Sequence, residues 1–401
     1  MNQHLGIRRP QSNRWTAATA IFCLTPLTFV ATTAASPPGL VRCSAEECGL
    51  DAARLNAIDD VIEEGLRYER MPGCVVLVGY RNRIAWLKSY GSRQLKPDVV
   101  PMTTDTVFAL ASLTKPIATA TSIMLLIEDG LVELDAPAAK YIPKFGNTGK
   151  EVITIRQLLT HQSGLLPDNS IRDYEDGRGQ AFQRIHELDL RAEPGTRFMY
   201  SDVGFIVLGE IVERVSGKSL DAFSKERIFS ALGMSETGFN PVSAIQKRAA
   251  PTQERNGKWM RGEVHDPRAY KLGGVAGHAG LFATAEDLAR YAQMLMNDGT
   301  LGKTRILKPE TCRLMTTSQK VSSGVRTLGW DRRTGYSSNR GDLFSAQAFG
   351  HGGVTGTALW IDPTQEMFVI FLSNRVHPHG KGSVNALAGR IGTIAAAAIK
   401  K

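Results

Sequence analysis

The sequence predicts a mixed α/β fold, with one sheet assembled from both ends of the chain and an all-helical lobe inserted between them. Three observations lead there. Strand-type runs lie near the start, at residues 74–80 and 84–90; others return near the end, at 357–361 and 367–372; and residues 135–300 read mostly as helix. The elements follow in order. Leu50, Leu55, Ile58, Ile62 and Leu66 stand at helical spacing across residues 50–69, an amphipathic helix. The polar triplet Arg81-Asn82-Arg83 joins the first two apolar runs as a hairpin turn. From Ile117 the run IATATSIMLLIEDG is small and apolar nearly all round, which marks a helix buried in the core and ending at Gly130. A further helix covers 206–216, polar loops occupy 167–180 and 240–268, and a last helix covers 383–398.

The 401 residues are enough for a large core, and no repeat or low-complexity linker divides them. Arg8, Arg9 and Arg14 precede an apolar stretch at 15–30, and Ala31-Thr32-Thr33-Ala34-Ala35-Ser36 follows. That order of charged, apolar and small residues is the pattern of a secretory signal peptide over residues 1–35. The stretch is short for a membrane span and Pro26 interrupts it, so a membrane association is expected only if the segment stays uncleaved. Residues 36–49 then form an N-terminal segment and 50–401 the main domain, with its helical lobe at about 135–300. The expected location is the periplasm or the extracellular space. Formal charge is +9, and +6 without the three N-terminal arginines. That excess suits an anionic surface such as a cell wall, but no basic patch interleaved with aromatics points to nucleic acid. Cys43 and Cys48 are close enough for a small disulfide loop in an oxidising compartment, while Cys74 and Cys312 read as core residues. No cysteine and histidine cluster has zinc spacing.

The chemistry starts at Ser112-Leu113-Thr114-Lys115, the one S-x-x-K of the chain. Residues three apart share a helix face, so the lysine amine can reach the serine hydroxyl. A serine needs a base to become a nucleophile, and lysine is a base only when neutral. Burial and a nearby positive potential would have to depress its pKa well below the ordinary value of about 10.4. Pro116 is tolerated only in a first turn, so the helix should start near Ser112 and leave the Ser112 N–H at the positive end of its dipole. The same four residues also suit a capping serine with a solvated lysine. Tyr200, in Tyr200-Ser201-Asp202, is a candidate second base with a lowered pKa beside a cation, or else a structural tyrosine. Phe349-Gly350-His351-Gly352-Gly353-Val354-Thr355-Gly356 approaches a strand densely in glycine, which lets a ligand come close and offers the Val354 N–H as an oxyanion donor; the alternative is a flexible turn with an exposed histidine. His161, His265 and His278 read as structural, with His265-Asp266 orienting a loop.

Taken together, Ser-x-x-Lys, Tyr-Ser-Asp and His-Gly-Gly in this order resemble the three motifs of the penicillin-binding protein and class C β-lactamase superfamily of serine hydrolases, over residues 50–395. ITIRQLLTHQSGL, YSDVGFIVLGEIVERVSG and GLFATAEDLARYAQMLMNDG add to the likeness. The resemblance implies an antiparallel sheet flanked by helices. It also implies Ser112 as acylated nucleophile, Lys115 as its base, Tyr200 as proton relay, and the Ser112 and Val354 amides as oxyanion hole. Asp202, His351, Gly352 and Gly353 would bind substrate, with no metal or organic cofactor. Two departures bear on substrate. Asp202 stands where Asn is frequent, and His351-Gly352 where Lys-Thr is frequent; both weaken the case for β-lactams or a terminal D-Ala carboxylate. Residues 262–280 are similar to a branch with muramyl-L-alanine amidases and broad esterases. The expected activity is acyl-enzyme cleavage of a peptidoglycan-derived peptide or amide, or a small ester. D-alanyl-D-alanine carboxypeptidase or β-lactamase activity, and a catalytically silent wall-fragment binder, are the alternatives.

Overall fold

In the computed structural model, Met1 and residues 39–400 are described, so the N-terminal segment read as a signal peptide lies outside the described residues. Ten strands make the main sheet: β1 Val41–Arg42, β2 Gly73–Tyr80, β3 Arg83–Gln94, β4 Val100–Pro101, β5 Gln319–Val321, β6 Gly324–Arg326, β7 Asp331–Arg333, β8 Phe349–Gly353, β9 Thr357–Asp362 and β10 Met367–Ser373. Their order is β1-β3-β2-β10-β9-β8-β7-β6-β5, with β4 on the end of β3. Apart from parallel β1 and β3, neighbours are antiparallel. Both chain ends therefore meet at the centre, where β2 pairs with β10 and Leu77 faces Ile370.

The central strands are buried on both faces, which is why β2 reads as a continuous apolar run. Cys74, Val76 and Val78 pack with helices α1 (Ala52–Arg67) and the later Asn385–Ala397 on one side. Val75 and Leu77 join the large core on the other side. That core is built by α2 (Thr121–Glu128), α3 (Asp202–Ser216) and α4 (Ala285–Met296). The β2–β3 hairpin turns through Arg81 and Asn82, both left-handed at φ 47° and 64°, as a tight two-residue turn requires. Cys43 and Cys48 are disulfide-bonded, and Cys74 and Cys312 are buried thiols. No helix among the described residues is long and apolar enough to cross a membrane.

Two expectations need correction. The glycine-dense motif does lead into strand β9, but its residues Phe349–Gly353 are themselves strand β8, and three more strands, β5 to β7, precede it. They carry Gly, Arg and Asp in place of alternating apolar residues, so the period-2 signal is missing. Gly350 is needed there because a β-carbon would overlap the Trp360 ring on β9. The helical lobe also contains short strands. Leu281–Ala283 pairs with Phe108–Ala109 just ahead of Ser112 on one edge and with Gly238–Phe239 on the other, so a lobe segment positions the serine turn.

Two packing details carry predictions. A β-carbon on Gly277 would overlap the Phe205 carbonyl oxygen of α3 and lie 3.0 Å from the Gly209 amide nitrogen. Neither is a side chain that can swing away. Gly277→Ala should therefore destabilise the fold by about 1–3 kcal/mol, read as a lower melting temperature; an unchanged melt would show that α3 and this segment separate freely. Asp287 in α4 accepts from the Thr237 hydroxyl (2.8 Å) and the Glu236 N–H (2.9 Å). Even so, burial pushes its carboxyl up to about 6. A folded-state pKa raised above the unfolded one contributes stability that is present at low pH and lost as pH rises through about 6. Asp287→Asn, which keeps an accepting oxygen, should raise stability by about 1–2 kcal/mol at pH 8 and by nothing at pH 4. Melts at the two pH values test this; an equal effect at both would exclude the carboxyl as its source.

Candidate active site

The chain enters the site along Phe108–Ala109, with the Leu110 N–H donating to Leu281 O at 2.9 Å. It then turns at Ala111, which sits in the left-handed region at φ 48°. That conformation costs a residue with a β-carbon about 1–2 kcal/mol, and strain of this kind concentrates at functional sites. A single 3₁₀ turn, Ala111–Leu113, follows, then a π-type turn, Lys115–Ala120, and then α2. Pro116 falls at the start of this second turn, where its missing N–H is not needed. Ser112 is half-buried at the head of the helical stretch, and Lys115 is wholly buried one turn on.

The Lys115 ammonium sits among polar groups. Its Nζ lies 3.2 Å from Ser112 Oγ, 3.1 Å from His278 O and 2.6 Å from Asp202 Oδ1. Burial pushes the amine down, but Asp202 and then Tyr200 more than offset it, so the lysine is held above its ordinary range. The expectation of a depressed lysine is thus reversed. Its counter-ion arrives from α3, some ninety residues away, and no spacing rule shows it. Tyr200 differs from expectation as well. Its hydroxyl end lies deep, and burial raises the phenol despite the pull of Lys115 and Ser112. The Lys115 Nζ stands 4.9 Å from the Tyr200 ring centre.

Local chemistry fixes these groups. Ser201 caps α3, accepting from the Gly204 N–H at 3.0 Å, so Asp202 opens the helix where its dipole favours an anion. His161, left-handed at φ 56°, accepts the Ser201 N–H on Nδ1 at 3.0 Å and stacks on Tyr200 with ring centres 4.4 Å apart. Tyr336 stacks on Tyr200 at 4.8 Å, so three rings are held close together. Burial, with Arg326 and Lys115 as secondary causes, holds His161 and His351 well below the usual imidazole range. His351 is buried, not exposed, and its Nδ1 is 2.7 Å from Gly352 O.

Strand β8 presses on the serine turn. A β-carbon on Gly353 would overlap Leu110 O, while Thr355 and Thr357 donate to Ala109 O (2.6 Å) and Leu110 O (3.1 Å). Ser112, Tyr200, Asp202, His351, Gly352, Gly353 and Val354 all line one cavity of about 460 Å³. Lys115 lies just behind its wall.

The cavity also takes in residues read as structural. His278 Nε2 lies 2.9 Å from Asp266 Oδ1, and both line it, as do His265, Tyr336, Asn339 and Arg375. Burial raises the Asp266 carboxyl, yet His278 and the Ala269 N–H outweigh it and leave the group well below the usual carboxylate range. Asp202, Asp266 and His278 each bring one atom within 4.8 Å of the others, close enough to surround a cation. The Lys115 ammonium already neutralises Asp202 there, and a metal ion would meet that charge. These three residues are better matched to hydrogen bonding than to a metal.

Comparison with known proteins places the chain in a family. A family model described as Beta-lactamase matches residues 58–393. The chain is 33% identical over 381 residues to a protein of Escherichia coli (strain K12) named "Putative D-alanyl-D-alanine carboxypeptidase", covering 86% of this chain and 87% of that one. It is 31% identical to the "N-acetylmuramyl-L-alanine amidase" of Bacillus subtilis (strain 168), with 83% and 84% covered. In fold it is similar to a penicillin-binding protein homolog from Caulobacter crescentus, with TM-score 0.70 at 21% identity over 87% of this chain and 99% of that one. A class C beta-lactamase superposes with TM-score 0.71 at 18% identity, over 88% and 98%. The chain belongs to the Beta-lactamase family, whose members are serine hydrolases.

Proposed function

We propose that this protein is an exported serine hydrolase that cleaves an amide in a peptidoglycan-derived peptide, or a small ester, through an acyl-enzyme on Ser112. The observation that carries the reading is the 3.2 Å contact between Ser112 Oγ and Lys115 Nζ at the edge of the cavity. Ser112 Oγ attacks the carbonyl while Lys115, once neutral, takes its proton. The Ser112 and Val354 N–H groups receive the oxyanion. Tyr200 passes the proton to the leaving group, and water then releases the acyl group. Asp202, His351, Gly352 and Gly353 line the path of the substrate. The relative named as an amidase supports an amide next to a muramyl group. Export is supported by the N-terminal charge and apolar pattern and by the Cys43–Cys48 bond, since disulfides persist in oxidising compartments.

One observation favours a second reading. Arg375 lines the cavity and is its single lining Arg or Lys among the described residues, so a substrate carboxylate has a partner even though the third motif lacks lysine. That suits a D-alanyl-D-alanine carboxypeptidase, the activity in the name of the E. coli relative. The test is to incubate the mature protein and Ser112→Ala with a muramyl peptide, a peptide ending in D-Ala-D-Ala, a penicillin and a p-nitrophenyl ester, and to read products and adducts by mass spectrometry. Ser112-dependent release of the peptide from the muramyl group, or ester turnover without a lasting penicillin adduct, is the expected result. Release of D-Ala would move the assignment to the second reading. No turnover and no adduct would leave a silent wall-fragment binder.

A further inference from the structure

We propose that Asp202 is a charge latch on Lys115: it holds the lysine as an ammonium in the free enzyme and thereby sets the pH at which Ser112 becomes a nucleophile. The inference rests on Ser112 as nucleophile and Lys115 as its base. An ammonium has three donors and no lone pair; Lys115 donates to Ser112 Oγ and His278 O and stands 2.6 Å from Asp202 Oδ1 as its ion-pair partner. So arranged, it cannot receive the Ser112 proton. Two of the acceptors are uncharged; Asp202 is the one that can favour the charged lysine through a full opposite charge, and its contact is the shortest. An asparagine in its place, the residue frequent in this motif, would carry no such charge.

The other charged and titratable groups around the pair do not replace Asp202. Tyr200 comes from the same segment, and its phenol is protonated by burial. His161 and His351, from the other walls, are neutral, and Arg326, which with Lys115 disfavours their charged forms, is itself a cation. Asp266 is engaged by His278 at 2.9 Å and Asp168 faces Arg268 at 3.5 Å. The fully buried aliphatic stem of Lys115 leaves desolvation as the force that takes over once the carboxylate is removed.

The experiment follows Ser112 phosphonylation by a fluorophosphonate, using intact mass, from pH 5 to 10. The serine oxygen displaces fluoride from phosphorus, and Lys115 takes the hydroxyl proton. The proteins are wild type, Asp202→Asn, Asp202→Glu and, in parallel, Ser112→Ala. Wild-type labelling should rise about tenfold per pH unit through neutrality, as expected for one deprotonation. In Asp202→Asn the rise should begin at lower pH and labelling at pH 7 should be about 100-fold faster, the size an opposite charge at this distance produces. Asp202→Glu, which restores a carboxylate, should return the rise towards the wild-type range. A rise unmoved in Asp202→Asn, or labelling abolished at every pH, overturns the latch, the second outcome by making Asp202 a required proton acceptor. A wild-type rate flat from pH 6 to 10 overturns it without any variant, should Asp202→Asn fail to fold. Labelling that persists in Ser112→Ala instead removes the nucleophile assignment beneath both readings.

Discussion

Ser112→Ala protein should take up no fluorophosphonate and should hydrolyse ester and amide substrates about 10⁴-fold or more below wild type, because Ser112 carries the cavity hydroxyl that contacts Lys115 Nζ. Thr355 lines the same wall but is buried and donates to Ala109 O at 2.6 Å. Ser201 is engaged twice, donating to Leu166 O and accepting from the Gly204 N–H. Tyr200 is close, yet burial keeps its phenol protonated. What remains is whatever the backbone amides contribute by binding and polarising the carbonyl. Stability should change by no more than about 1 kcal/mol, since a half-buried hydroxyl is removed and Lys115 loses one hydrogen-bond acceptor. Intact mass after labelling, substrate turnover and a thermal melt are read together. Retained labelling at a new site in a protein with an unchanged melt would move the nucleophile elsewhere.

The sequence was legible where one physical force dominates locally. The strands at 74–80, 357–361 and 367–372 are apolar because they sit at the middle of the sheet, and their bounds, like those of the run at 84–90, fall within a few residues of β2, β9, β10 and β3. The buried helix after Ser112 was legible for the same reason. Strands β5 to β8 were not, because they lie towards one side of the sheet and use Gly, Arg and Asp for close packing and ion pairing. Arg326 and Asp331, fully buried and 3.6 Å apart, give no apolar pattern. In the site, Ser112 and Lys115 could be paired from spacing because a helix turn joins them. The contacts that decide their charge could not. Asp202 reaches Lys115 from α3, and His278 brings its carbonyl and its Asp266 partner from a loop more than 150 residues beyond Lys115. A motif shows which groups are present, whereas their protonation depends on which other segments fold against them.

The same pair makes Lys115→Met the second severe substitution, and it should affect stability as well as rate. Methionine keeps most of the side-chain length, so packing in the wholly buried channel is largely preserved and the loss is one of charge. Without the amine, Ser112 labelling should slow by about 10²–10⁴-fold, the range of a lost general base. Asp202 is then left as a carboxylate with a side chain only 20% exposed and no cation at 2.6 Å. Breaking a buried ion pair on one side costs about 3–5 kcal/mol; since Asp202 opens onto the cavity, about 2–3 kcal/mol is expected. The loss should depend on pH. In the variant an unpaired carboxylate in this wall binds a proton more readily folded than unfolded, so stability is retained at low pH and lost as pH rises. Melting temperatures of wild type and Lys115→Met should therefore approach each other on going from pH 8 to pH 4. The double variant Lys115→Met/Asp202→Asn should regain stability at pH 8 without regaining labelling. A Lys115→Met protein as stable as wild type at pH 8 would mean that Asp202 finds another partner. In that case the carboxylate does not depend on the lysine, and the charge latch would lose its reciprocal half.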